Sequence, residues 1–234
     1  MTDLLRTEAA KLGITLADKM FEEFLLYTDV LLEWNGKMNL TAIVQPEEIA
    51  VKHYIDSLLL IAAHDIPHGA AVIDIGSGAG FPGIPLKIAR PDINLSLLDS
   101  QNKRLRFLET LSENLGQDNR LIHGRAEELA HDMLLRERFD VATARAVAPL
   151  ALLCELCLAY VKKDGVFLAM KGAQARRELE DAATAIERMG ARMEDIRDYS
   201  LNETEARSII IIRKISQTST GLPRTHKKMT KAPL

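Results

Sequence analysis

The sequence of 234 residues has only two cysteines, Cys154 and Cys157, close together in one apolar stretch. That excludes a disulfide scaffold and makes a reducing cytoplasm the expected compartment. Core packing is the reading for both thiols, since free cysteines are commonly buried. No run of about 18 apolar residues occurs, so a membrane span and a membrane partner are not expected. The opening MTDLLRTEAAKLG scatters its charges and lacks the basic-then-apolar layout of a signal peptide. His64 and His68 stand one helical turn apart, but Pro67 interrupts and no further ligand follows; no metal is expected. The net charge is only −3, against a uniformly basic nucleic-acid binder. Acid is missing locally, however. From Ala206 onward the chain holds Arg207, Arg213, Lys214, Arg224, Lys227, Lys228 and Lys231 without one Asp or Glu. Two readings of that tail stand, a phosphate-contacting arm and a solvated disordered end.

What is present has a clear order. Met20, Phe24, Tyr27, Leu31 and Trp34 recur at helical spacing, and Thr15 with Asp18 suits a capping box at that helix's start. The Asn and Gly residues of WNGKMNLTAI mark a loop, after which Pro46 suits a first helical position with Glu47 and Glu48 beside it. Past IPHGA, strand-like runs appear at 71–75, 94–99, 120–124, 139–144, 165–170, 192–200 and 207–214. Helical runs at 83–90, 101–115, 126–137, 149–161 and 173–189 separate most of them. That alternation implies an α/β fold of Rossmann-like type, with a mostly parallel seven-stranded sheet and helices on both faces. The last two strands, joined by a short turn, are expected to form an antiparallel hairpin at the sheet edge. Three parts follow: an N-terminal helical extension (1–66), a ligand-binding domain (67–215) and the basic tail (216–234).

The glycine-rich stretch AVIDIGSGAGFPGIPLKIA lies between the first strand and its helix. A phosphate-binding P-loop needs Lys and Ser or Thr after its last glycine, but Ile84 and Pro85 follow Gly83. A dinucleotide fingerprint needs a third glycine where Phe81 stands, which disfavours a nicotinamide oxidoreductase. What remains is acid-x-G-x-G-x-G, formed by Asp74, Gly76, Gly78 and Gly80. Glycine lets backbone approach a ligand, and Asp74 suits an ammonium met directly or through water. Asp99 ends the next strand, where an acid accepts hydrogen bonds from both ribose hydroxyls. A nucleoside carrying an amino acid fits this pattern, and the expected cofactor is S-adenosylmethionine at the switch point of an open sheet. Ala126 and Glu127 follow the third strand, where an adenine ring would stack and hydrogen-bond; for Glu127 a plain helix first-turn acid competes. Arg145 ends the fourth strand at the same edge, placed to hold substrate phosphate or position a base.

Together, WNGKMNLTAI, HYIDSLLL, IDIGSGAGFPGIPLKIARPD, LLDSQNKRLRFL, GRAEEL, ATARAVAPL and AMKG closely resemble the bacterial 16S ribosomal RNA guanine-N7 methyltransferase G family. That family is also called glucose-inhibited division protein B. The resemblance runs from about residue 20 to the last strand and implies a class I methyltransferase fold. It places cofactor contacts on Gly76, Phe81, Ala126, Glu127 and Arg145, and makes 16S ribosomal RNA, the small ribosomal subunit or its precursor the expected partner. The tail LPRTHKKMTKAPL is similar to the family's basic C-terminus at Pro223, Arg224, Lys231, Pro233 and Leu234. Lys227 and Met229 stand where that pattern has glycine and proline. Guanine N7 carries a lone pair and no hydrogen, so methylation there needs no general base, only alignment, which can supply up to about 7–11 kcal/mol. Asn39, His53, Asp56, Arg145 and Lys171 are the candidates on the substrate side; for the first three, helix capping or loop hydrogen bonding competes. A monomer is expected. Two rivals stay open: a small-molecule methyltransferase, and an RNA-binding assembly factor that merely retains cofactor.

Overall fold

Helices α1 (Thr2–Lys11) and α2 (Asp18–Met38) lead to α3 (Pro46–Ile49), a single π-helical turn (Ala50–Ile55) and α4 (Asp56–Ala63). The strands are β1 (Ala71–Ile75), β2 (Asn94–Asp99), β3 (Arg120–His123), β4 (Phe139–Ala144), β5 (Val161–Lys171), β6 (Ala191–Ser200) and β7 (Ala206–Lys214). Between them lie α5 (Gly83–Ala89), α6 (Asn102–Asn114), α7 (Ala126–Leu129), α8 (Leu150–Cys157), α9 (Ala175–Asp181) and α10 (Ala183–Arg188), and α11 (His226–Lys231) closes the chain. The computed structural model describes residues 1–145, 148–201 and 205–234; Ala146 and Val147 of the ATARAVAPL stretch, and 202–204 of the final turn, lie outside them.

The seven strands form one sheet in the order β3-β2-β1-β4-β5-β7-β6. The first five pair in parallel, and β7 runs antiparallel between β5 and the edge strand β6. Side chains alternate across the sheet, so consecutive apolar residues feed two cores. Val72, Ile209 and Ile211 pack with α2, α4, α5 and α6, whereas Ile73, Ile210 and Ile212 pack with α8 and α10. This is the doubly covered α/β architecture expected from the alternation of runs. Cys154 and Cys157 are buried and free, and burial pushes both thiols well above the ordinary range.

Several local expectations fail for identifiable reasons. No capping box forms: residues 14–17 stay outside the helix, Ala17 is the N-cap without a side-chain bond, and Asp18 turns to Arg6 at 2.9 Å. Helix α2 continues through Gly36 to Met38, with Trp34 edge-on to Phe107 of α6 at 5.8 Å; the loop begins only at Asn39, which is left-handed at φ 47°. Tertiary packing outweighs a single glycine's propensity cost there. The run 126–137 is helical only to Leu129, because Asp132 takes its own loop's Leu134 N–H and Arg136 reaches away to the tail. Helix α8 stops at Cys157, not residue 161, because Val161 pairs with Phe139 as the start of β5. The run 173–189 divides at Ala182 into α9 and α10.

The basic tail is docked. Leu222 and Met229 are buried, and Arg136 donates to the carbonyls of Thr218, Ser219 and Leu222. Of the seven cations, Arg207, Arg213, Lys214 and Arg224 pair with Asp56, Glu194, Glu137 and Glu155. Lys227, Lys228 and Lys231 stay exposed. Glu155 is 1% exposed and accepts from the backbone N–H, Nε and Nη2 of Arg224. Arg224→Ala strands that carboxylate. Breaking a buried pair costs about 3–5 kcal/mol, and water around Arg224 reduces this to about 2. Thermal unfolding is expected to fall by roughly 4–8 °C; an unchanged midpoint would show that the latch contributes nothing.

Candidate functional site

The carboxyl ends of β1 and β2 are stitched together by the glycine loop. Gly76 and Ser77 N–H groups donate to the Leu98 carbonyl at 2.8 and 3.1 Å, and Gly78 N–H donates to Asp99 Oδ2 at 2.9 Å. Asp99 Oδ1 takes the Gln101 N–H at 2.8 Å, which holds the acid at the strand's edge. Gly76 and Gly78 have φ of 75° and 58°, and a Cβ at Gly76 would meet nothing within 4 Å. That leaves an open cradle beside the Gly76 backbone, with room for a ligand to approach. Gly80 differs. Its Cβ would lie 2.8 Å from the Tyr27 hydroxyl, so this glycine serves packing of the loop against α2.

Asp74 is fully buried, with Oδ2 accepting the Gly83 N–H at 3.0 Å and Oδ1 without a partner. An orphaned buried acceptor is costly unless a donor arrives with a ligand. An open backbone at Gly76, an acid at the strand edge and an orphaned acceptor fit the nucleoside cofactor expected from the sequence. Burial pushes the Asp74 carboxyl up to about 7, against the opposing pull of the Gly83 N–H and Arg145. The folded chain therefore keeps a proton that the unfolded chain releases above about 4. Ligand-free stability is expected to fall as pH rises from about 4 to about 7 and to level beyond. Thermal unfolding at pH 5 and pH 8 reads this: Asp74→Asn removes part of the decline, and identical declines would mean that Asp74 ionises as an ordinary carboxyl.

Next to the cradle, at the end of β4, Arg145 meets the π-helical turn. Its Nη1 donates to the Lys52 carbonyl and Asp56 Oδ2, both at 3.2 Å, and its Nη2 donates to His53 Nδ1 at 3.2 Å. His53 Nδ1 lies between that guanidinium and the Lys52 carbonyl 3.1 Å away, and Nε2 lies 2.9 Å from Thr41 Oγ1. Burial, then Arg145, hold His53 down at about 3, neutral across the physiological range. Phe81 stacks on Tyr27 and His53 with centroids 5.3 and 4.3 Å away, and the Arg145 guanidinium lies 4.6 Å over its ring. Asp56, 4% exposed at its side chain, bridges Arg145 and Arg207, whose Nε lies 3.0 Å from Oδ1. Burial pushes the Asp56 carboxyl up while the two guanidiniums pull it back. Arg207 continues to Glu205 at 3.0 Å, and Glu205 to Lys52 at 3.1 Å.

These groups line a cavity of about 560 Å³, with Lys171 and Met170 from the end of β5 on its far wall. Four of the substrate-side candidates are thus gathered: Arg145, His53 and Asp56 in one network, and Lys171 across from them. Lys171 is itself held, donating to the Ala148 carbonyl and to Glu178, each at 2.6 Å. Asn39 stands apart as the exposed C-cap of α2. Ala126 and Glu127 open α7, Ala126 with its carbonyl taken by the Tyr160 hydroxyl and Glu127 beside Arg125 at 3.4 Å. Lys52, Thr41 and Arg207 were missed as site residues. Thr41 lay within WNGKMNLTAI and Arg207 among the counted cations, but a π turn that brings residues 52, 53 and 56 to one wall has no simple periodicity. Among the described residues no group of three or more His, Cys, Asp or Glu forms a metal cluster. Nor, among the described residues, is any helix long and apolar enough to cross a membrane.

Comparison with known proteins places this geometry. The family described as rRNA small subunit methyltransferase G matches residues 20–213. A protein of Lachnoclostridium phytofermentans named "Ribosomal RNA small subunit methyltransferase G" is 47% identical, over 95% of this chain and 93% of that protein. One of the same name from Oceanobacillus iheyensis is 46% identical, over 95% of this chain and 94% of its own length. Among solved structures, M. jannaschii TYW2 in complex with AdoMet is 14% identical, covers 65% of this chain and 73% of its own, and superposes with a TM-score of 0.53. A methyltransferase from Bacillus halodurans is likewise 14% identical, covers 69% of this chain and 99% of its own, and reaches 0.52. At such identity these two structures report the fold.

Proposed function

The chain belongs to the rRNA small subunit methyltransferase G family, and from that premise we propose that it methylates guanine N7 in small-subunit ribosomal RNA. Its cofactor is S-adenosylmethionine, which supplies an electrophilic methyl group on a sulfonium. The observation that carries the reading is the stacking of Phe81, from the glycine loop, on His53 and under the Arg145 guanidinium of the Asp56 network. One side suits the nucleoside; the other is a cavity lined by Lys52, Arg145, Lys171 and Arg207, suited to a nucleotide with its phosphate. Among the described residues of that cavity, neither His53 nor Asp56 is poised as a base. His53 is neutral with both ring nitrogens engaged, Asp56 is committed to two guanidiniums, and N7 has no proton to lose. The chain's part is therefore alignment. Arg145, locked by Asp56, the Lys52 carbonyl and Phe81, presents a rigid edge against which the guanine is held, while Lys171 and Asp56 keep their places through fixed partners.

The test is methyl transfer from labelled S-adenosylmethionine to small-subunit RNA from cells lacking the enzyme. Naked RNA, assembled subunit and partly assembled particle are compared. Reductive ring opening followed by strand scission then reports 7-methylguanosine. Label confined to one scissile guanine is expected. Label at another atom, or transfer only to small molecules, would overturn the reading in favour of a different acceptor.

A further inference from the structure

Lys171 and its neighbours Met170 and Gly172 line a second cavity as well as the first. This one holds about 600 Å³ and has Pro149, Gln174, Arg177 and Asp181 on its far side. The two cavities share the wall formed by the end of β5. Both volumes lie within the range of small-ligand sites. The divider is rigid: Glu178 holds Lys171 and also the Leu150 N–H at 2.8 Å, tying α8, α9 and β5 together. The compartments differ in kind. The first is dominated by a closed ladder of charges around Asp56. The second offers the apolar ring of Pro149 beside two exposed planar groups, Gln174 and Arg177. Arg177 has no side-chain partner among the described residues, whereas its neighbour Arg176 is paired to Asp198.

We propose that this second compartment receives the nucleotide next to the target guanine, so that the enzyme grips an unpaired dinucleotide step of RNA. The idea rests on the reading of the first compartment as the guanine site. A base drawn into that compartment stays attached to its strand through phosphodiesters, and the strand can cross the Lys171 rim into the adjoining space. There an unstacked base finds the exposed apolar ring of Pro149, and the Gln174 amide and Arg177 guanidinium suit its polar edge or its phosphate. Recognition of single-stranded RNA uses this pairing of a flat apolar contact with planar hydrogen-bonding groups.

Arg177→Ala is the test, with Lys163→Ala near the start of β5, the end away from Lys171, as control; both side chains are exposed, so the fold is kept. For Arg177→Ala the KM for RNA is expected to rise about 3–10-fold. Its kcat and the KM for S-adenosylmethionine should stay within about twofold. The salt dependence of RNA binding should lose about one phosphate's worth of slope. Lys163→Ala should change none of these. Wild-type KM and slope in Arg177→Ala, or an equal change in the control, would overturn the second compartment. Failure of the wild-type chain to methylate guanine N7 would instead remove the reading it rests on, and the binding data would separate the two results.

Discussion

Asp56→Asn is expected to lower kcat for RNA methylation about 100-fold while leaving cofactor affinity within about threefold. The carboxylate accepts from Arg145 at 3.2 Å through one oxygen and from Arg207 at 3.0 Å through the other. An amide of the same shape has a single oxygen and turns an NH2 group toward the second guanidinium, donor against donor. Whichever arginine loses its acceptor moves, and displacement of a positioning group by about 1 Å is enough to cost 100-fold. Arg145→Ala should act on the same unit, so the double variant is expected to be little worse than either single one. Some stability is lost as well, about 1–3 kcal/mol for an unsatisfied pair in a partly buried setting. Methylation assays and cofactor titration on the three variants decide the matter. Full kcat in Asp56→Asn, or additive losses in the double variant, would show that Asp56 does not hold Arg145 for the reaction.

Gly76→Ala and Gly83→Ala should fail in opposite ways. At Gly76 an added methyl enters the empty cradle, with nothing within 4 Å, at φ 75°. The left-handed backbone costs an L-residue about 1–2 kcal/mol, so folding survives, but cofactor affinity is expected to fall at least about 30-fold because the methyl occupies ligand space. At Gly83 the methyl would sit 2.8 Å from Leu97 and 2.9 Å from Asp74 Oδ2. Overpacking of that kind costs about 1–3 kcal/mol, and it displaces the N–H that Asp74 accepts. Gly83→Ala should therefore lose the larger part in thermal stability. Calorimetric titration beside thermal unfolding separates the two; a Gly76→Ala protein that binds cofactor with wild-type affinity would remove Gly76 from the ligand surface.

The basic tail shows how a composition signal is rewritten by folding. Seven cations without an acid among them suggested an arm, yet four of them find carboxylates on other parts of the chain. Arg224 meets Glu155 across 69 residues, and Arg207 meets Asp56 across 151. Removing residues 216–234 is consequently a poor test of RNA contact, because it would also uncover the buried Glu155. Substitution of Lys227, Lys228 and Lys231, which are exposed on α11, addresses the arm without opening the fold.

The strand pattern was legible because alternation is local. Ile209 and Ile211 go to one core and Ile210 and Ile212 to the other through strand geometry alone, and β1, β2 and β4 begin and end where their apolar runs do. Gly76, Gly78 and Asp99 were equally readable, since a tight turn at positive φ and an acid at a strand end are properties of short segments. Tertiary structure decided the rest. Whether Gly80 faces ligand or α2 depends on Tyr27, more than fifty residues earlier along the chain. His53 is neutral because burial and Arg145 make it so, and Asp56 is a bridge because two strand ends deliver arginines to it. Desolvation and ion pairing belong to the place where segments meet, and no window of neighbouring residues contains that place.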